Sequence, residues 1–209
     1  MKKTAFIRIG IGFVLFYSFA AAQEQDTVST AKWNQTLEIN LYLMKDESIL
    51  LPIYQTDRGK LHLEARYNYE DLKTFSAWIG YNIKSGNSFE YIITPMAGGV
   101  VGSTSGIAAG LELTFDFKGF EFYTEMEYIF DLKEKENDFY YNWTDITYAP
   151  KEWLWFGLSA QWTRLYKSDL EIERGLLVGG SLKQYELTGY LYNLGSDDFY
   201  IIFTLSANF

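Results

Sequence analysis

The chain has 209 residues, 27 acidic against 18 basic, with one histidine, no cysteine and a formal net charge of −9. An acidic balance of this size excludes nucleic acid as a partner, because that polyanion demands a basic surface. With no cysteine, an exported fold must rely on its hydrogen-bond ladder rather than on disulfides, and aromatic residues at 19% suit strands that are apolar on one face only.

Lys2, Lys3 and Arg8 open the chain, an apolar stretch follows over 9–19, and Ala20-Ala21-Ala22 offers a small-residue cleavage site before Gln23. This pattern predicts a secretory signal peptide over 1–22 and a single mature domain over 23–209. The stretch from Ile9 to Ala22 is shorter than the roughly 18 residues a spanning helix needs. Its removal takes three basic residues and no acid, leaving 15 basic against 27 acidic residues, a net charge of −12. Nothing in the mature sequence calls for a cofactor.

No later stretch is long and apolar enough for a helical span. A chain that crosses a bilayer without one must close its backbone hydrogen bonds between strands. Leu37, Ile39, Leu41 and Leu43 alternate with Glu38, Asn40 and Tyr42, which predicts a first strand. The next segment, 48–56, is apolar but alternates poorly and carries Pro52, although short connectors flank it on both sides. Ten clear alternating runs follow, at 60–70, 74–83, 88–96, 107–117, 120–130, 139–148, 153–166, 173–182, 185–194 and 199–209. With both ends of a barrel on one side the strand number must be even. That leaves twelve strands, the reading favoured here, or ten with 33–59 outside the wall.

The turns sort into two sets. Ser85-Gly86-Asn87, Lys118-Gly119, Ala149-Pro150-Lys151-Glu152 and Lys183-Gln184 are tight, as periplasmic turns are, whereas 98–106 and 131–138 are longer and richer in glycine or charge. The run 98–106 lacks the Gly-Lys-Ser/Thr ending of a phosphate loop and reads as a flexible surface loop. A two-residue turn at Lys118-Gly119 would oppose Glu112 to Glu125, Thr114 to Tyr123 and Asp116 to Glu121. One at Lys183-Gln184 would oppose Ser181 to Glu186 and Gly179 to Thr188.

In the final strand every odd position from Phe199 to Phe209 is apolar, while Thr204, Ser206 and Asn208 make the even positions polar. The terminal Phe203, Leu205, Ala207 and Phe209 resemble the recognition signal of Gram-negative outer-membrane β-barrels. That resemblance implies a porin-like, all-β, transmembrane antiparallel up-and-down β-barrel in the outer membrane, with lipid and the barrel-insertion machinery as partners. Phe117, Phe120, Tyr148, Tyr185 and Phe209 would form one aromatic girdle, and Tyr69, Tyr128, Phe130, Tyr166 and Phe199 the other.

With the apolar set outward, the inward set is acidic: Glu64, Glu70, Glu90, Glu112, Asp116, Glu121, Glu125, Glu127, Asp145, Glu173 and Glu186. Arg66 is the one mid-strand inward cation, and Arg164 and Arg174 fall near strand ends, where they would snorkel to the rim. Opposed carboxylates repel, so Glu112 and Glu125 need water with counterions, a bridging cation from another strand, or a bound ion. Arg66 is placed to reach Glu64 or a mid-height Glu. No metal site is expected, since the sequence offers no calcium-type loop and no histidine joins the acidic pair. His62 lacks the following Ser of an outer-membrane hydrolase or acyltransferase and reads as a hydrogen-bonded lumen residue. The leading expectation is a narrow channel for small solutes that favours cations. The alternatives are a closed barrel acting through its extracellular loops and, least supported, an enzyme using His62.

Overall fold

A computed structural model describes residues 32–165 and 171–209; the segment read as an export signal, and Tyr166, lie outside them. The described strands are β1 (Asn34–Leu43), β2 (Ser48–Arg58), β3 (Leu61–Tyr67), β4 (Phe75–Tyr81), β5 (Ile83–Gly86), β6 (Glu90–Val101), β7 (Gly106–Phe117), β8 (Phe120–Asp131), β9 (Phe139–Lys151), β10 (Leu154–Leu165), β11 (Glu171–Leu182), β12 (Tyr185–Tyr192) and β13 (Tyr200–Asn208). Each pairs antiparallel with its chain neighbours, except that β4 and β5 both pair with β6 and are two halves of one wall strand broken at Asn82. The wall is therefore a closed up-and-down barrel of twelve strands.

Closure runs through β1 and β13, paired from Thr36 opposite Asn208 to Leu43 opposite Ile201. The segment with Pro52 is a wall strand, paired with β1 along its whole length. Pro52 does no damage because the ladder to β3 begins only at Ile53, so the missing donor lies beyond it.

The distribution of residues is that of a membrane protein. Ile79, Ile107, Phe120, Leu158, Val178, Leu187, Phe203 and Leu205 face outward and are exposed, while Glu38, Glu64, Arg66, Glu112, Glu127 and Asp145 are buried inside. Water outside would make this arrangement untenable, whereas lipid outside accounts for it. Both hairpin registers predicted from turn position are present, with Glu112 opposite Glu125 and Ser181 opposite Glu186. The two-residue turn works because Lys118 and Gly119 both adopt positive φ, at 51° and 84°.

Three expectations need correction. The run 98–106 is mostly wall: β6 continues to Val101 and β7 begins at Gly106. Gly98 is a glycine because the Trp78 ring lies over it, a Cβ there falling 2.5 Å from the ring. Second, β3 ends at Tyr67, and Asn68 has a positive φ of 59°, which breaks the alternation. Third, Tyr69 consequently turns inward and does not join the outer girdle; its hydroxyl donates to Glu125 at 2.8 Å.

The lumen has two unlike sides. Tyr123, Trp143, Trp155, Leu177, Tyr190, Tyr192, Tyr200 and Ile202 form an aromatic cluster, and Trp78, Met96, Val100, Ala108 and Ile129 a smaller apolar one. Tyr192 stacks on Tyr200 with centroids 5.0 Å apart, and Trp143 meets Tyr190 edge-on at 5.3 Å. Trp155 fits only because Gly179 faces it, a Cβ there falling 2.3 Å from the indole. Gly179→Ala is therefore expected to force the ring from its place and destabilise the barrel by about 1–3 kcal/mol, read as a lower melting temperature in detergent beside an unchanged Gly189→Ala control, whose site has its nearest atom at 3.6 Å.

Candidate functional site

Arg66, at 2% exposure, is the electrostatic centre of the lumen. It projects from β3 between two carboxylates of its own segment and two from β8 across the interior. Its Nε donates to Glu64 Oε2 at 2.6 Å, and its Nη2 lies 2.5 Å from the same oxygen. Its Nη1 reaches Glu125 at 2.6 Å and Glu127 at 3.2 Å, with Glu70 further off at 3.9 Å. The guanidinium also lies over the Tyr69 ring at 4.6 Å and the Trp78 ring at 5.0 Å. The planar fork and aromatic stacking are what arginine supplies and lysine does not.

This arrangement answers how the opposed Glu112 and Glu125 coexist. Arg66 bridges to Glu125 from another strand, and the Tyr123 hydroxyl donates to Glu112 Oε1 at 3.2 Å. The compensation is incomplete. Glu70 Oε2 and Glu127 Oε1 are buried with no hydrogen-bond partner among the described residues.

Nearer the periplasmic end, His62 is fully buried, its Nδ1 3.1 Å from Asp57 and its Nε2 2.8 Å from Glu64. Asp57 also accepts from Asn82 Nδ2 at 2.5 Å, and Asn82 accepts from Thr94 at 2.6 Å. The expectation that no histidine joins the acidic pair is overturned: donor atoms of His62, Glu64 and Glu112 all lie within 4.8 Å of one another. The curvature of the wall brings β3 and β7 together here, which strand order alone does not reveal.

The other predicted lumen residues divide by depth. Glu121 and Asp145 are buried, while Glu90, Asp116 and Glu186 are half-buried at the periplasmic end. Glu90 faces Asp116, and Asp116 faces Glu121, so three carboxylates span neighbouring strands there. Asp145 accepts from Trp143 Nε1 at 2.8 Å, from Tyr190 at 3.2 Å and from Ser159. Glu173 lies near the extracellular mouth and accepts from the Tyr200 hydroxyl at 2.8 Å. Arg164 and Arg174 are exposed at the rim.

Sequence reasoning missed Glu38, Asp57 and Lys84. Glu38 is buried and held by Asn40 Nδ2 at 2.7 Å and Ser206 at 3.2 Å, and Lys84 Nζ lies 4.0 Å from Asp57. The signal for Glu38 was present, since its neighbours Leu37 and Ile39 face lipid. The aromatic side of the lumen was also missed, because around Tyr190, Tyr192, Tyr200 and Ile202 the inward positions are as aromatic or apolar as the outward ones, and only the other ends of β12 and β13 show the polar alternation.

The open space follows the same geometry. A cavity of about 20 Å³ lies at mid-height beside Glu38, Gln55, Arg66, Tyr69, Tyr123 and Glu125, room for about one water. A much larger depression, about 1620 Å³, opens between the β1–β2 connector and the ends of β11 and β13. Tyr42 lines both.

A scan of protein-family models finds no match, and a search of curated proteins finds none either. Solved structures do match in fold. The chain resembles the KdgM porin with a TM-score of 0.60 at 10% identity, covering 83% of this chain and 98% of that one. It is similar to a second structure, described as "KdgM porin in complex with disordered oligogalacturonate", with a TM-score of 0.61 at 11% identity, again covering 83% and 98%. The NanC porin gives 0.59 at 9% identity, with the same coverage. The fold of this chain is that of a porin-like outer-membrane β-barrel.

Proposed function

We propose that this protein, exported by its first 22 residues and inserted through the strand ending at Phe209, is a narrow outer-membrane channel whose acidic lumen favours small cations. The observation that carries the reading is Tyr42, whose side chain lines both the wide extracellular depression and the polar cavity beside Arg66 and Glu125. Carboxylates dominate the described lining: Glu38, Glu64, Glu112, Glu125 and Glu127 are buried around one guanidinium. A ring of negative charge in a narrow, low-dielectric passage attracts cations and repels anions. The oligogalacturonate named for one neighbour is a polyanion, and this interior is a poor match for such a solute.

A second reading has a specific observation in its favour. Arg66, Tyr190 and Ile202 are almost wholly buried, so the mid-lumen is packed, and a barrel closed there would act through its extracellular surface. Those loops are tied together, with Thr104 donating to Asp71 at 2.9 Å and Ser103 donating to the Leu72 carbonyl at 2.7 Å. An enzymatic role has less support, because both nitrogens of His62 are engaged by carboxylates.

Planar-bilayer recording separates the two. Purified protein in a KCl gradient is expected to give a small conductance with a reversal potential on the potassium side. Silence would leave the closed-barrel reading. Arg66→Ala is expected to act in two directions. It should cost about 3–5 kcal/mol of stability, by stranding buried carboxylates, seen as a lower melting temperature in detergent. In the same variant, conductance and cation preference should both rise, because the plug is removed and the negative charge remains.

A further inference from the structure

We infer that His62, Glu64 and Glu112 form a binding site for a divalent transition-metal ion of the zinc type inside the barrel. Their donor atoms come from two strands, β3 and β7, are all buried, and lie within 4.8 Å of one another. A tetrahedral ion bound at about 2.0–2.2 Å holds its ligand atoms somewhat closer than that limit.

Three further observations point to a cation there. The first is the orientation of the imidazole, whose two nitrogens both face carboxylate oxygens, Asp57 at 3.1 Å and Glu64 at 2.8 Å. A protonated ring donates from both nitrogens here; an ion bound at Nε2 takes the place of the proton shared with Glu64 Oε1, while Nδ1–H stays donated to Asp57. A carboxylate behind the histidine is the usual way a ligating imidazole is oriented and made more basic. The second is Gln55. Its Nε2 donates to that same Glu64 Oε1 at 2.9 Å, while its Oε1, buried with the rest of the residue, has no hydrogen-bond partner among the described residues. A carboxamide rotation would turn an oxygen toward the site. The third is charge: Arg66 takes only Oε2 of Glu64, at 2.5 Å, so that Oε1, shared by Gln55 and His62, is the oxygen turned to the site.

Mixed imidazole and carboxylate donors select zinc and its neighbours over magnesium, which wants an octahedron of oxygens and keeps its water. Toward the near end of the barrel Glu90, Asp116 and Glu121 face one another across neighbouring strands, a second group of carboxylates on the same side of the site. The site does not depend on whether the barrel conducts.

The test uses the full-length barrel in detergent micelles, stripped with EDTA and titrated calorimetrically with zinc chloride. One ion per chain is expected, undiminished by excess magnesium. Asp57→Asn should weaken binding about 10- to 100-fold, and Glu112→Gln and His62→Gln should abolish the stoichiometric event while the barrels still show their folded, heat-modifiable mobility. Cobalt(II) added to the unsubstituted protein should give the intense visible bands of a four-coordinate ion with a nitrogen ligand, a readout that stands even if a variant fails to fold. The absence of stoichiometric zinc, equal binding by the Glu112 and His62 variants, or only the weak bands of octahedral cobalt would each overturn the site.

Discussion

No backbone N–H in the hydrocarbon layer can go without a partner, and that single constraint organises this chain. Lipid offers no hydrogen bonds, so an edge strand left open there would carry a row of unsatisfied groups, each costing several kcal/mol. The wall therefore closes, through β1 with β13 on one side and β4 with β6 on the other. Even the break at Asn82 obeys it: the Asn82 N–H donates to the Lys60 carbonyl at 2.8 Å.

Closure then decides where the charge goes. Once one face of each strand must be apolar, the period of two turns the other face inward. This is how so many carboxylates come to be buried with few cations to match them. Arg66 gathers four of them within 4.0 Å, and hydroxyl and amide donors hold others, as at Glu38 and Asp145. A soluble protein would solvate such an acidic set on its surface; here the interior must accommodate it.

Much of this was legible in the sequence, because it followed from alternation and turn length. The strand number, both hairpin registers, the inward placement of Glu112 and Glu125, and the reach of Arg66 toward Glu64 needed only local patterns. What was not legible depended on breaks in the pattern or on contacts across the lumen. Tyr69 changed side because Asn68 adopted a positive φ. The 98–106 run looked like a loop because its glycines were read as flexibility, when Gly98 makes room for Trp78. The meeting of His62 with Glu112 spans the interior between strands that are not hydrogen-bonded neighbours, so no one-dimensional rule would find it.

The pairing of indoles with glycines has a consequence for bore. Trp78 lies against Gly98 and Gly110, and Trp155 against Gly179, so the thickness of the inner lining varies from place to place around the wall. Circumference is set by how many strands there are; free cross-section is set by which residues project from them. Two barrels of equal girth can therefore differ from sieve to stopper through a handful of exchanges between the smallest and largest side chains, without a single change in topology.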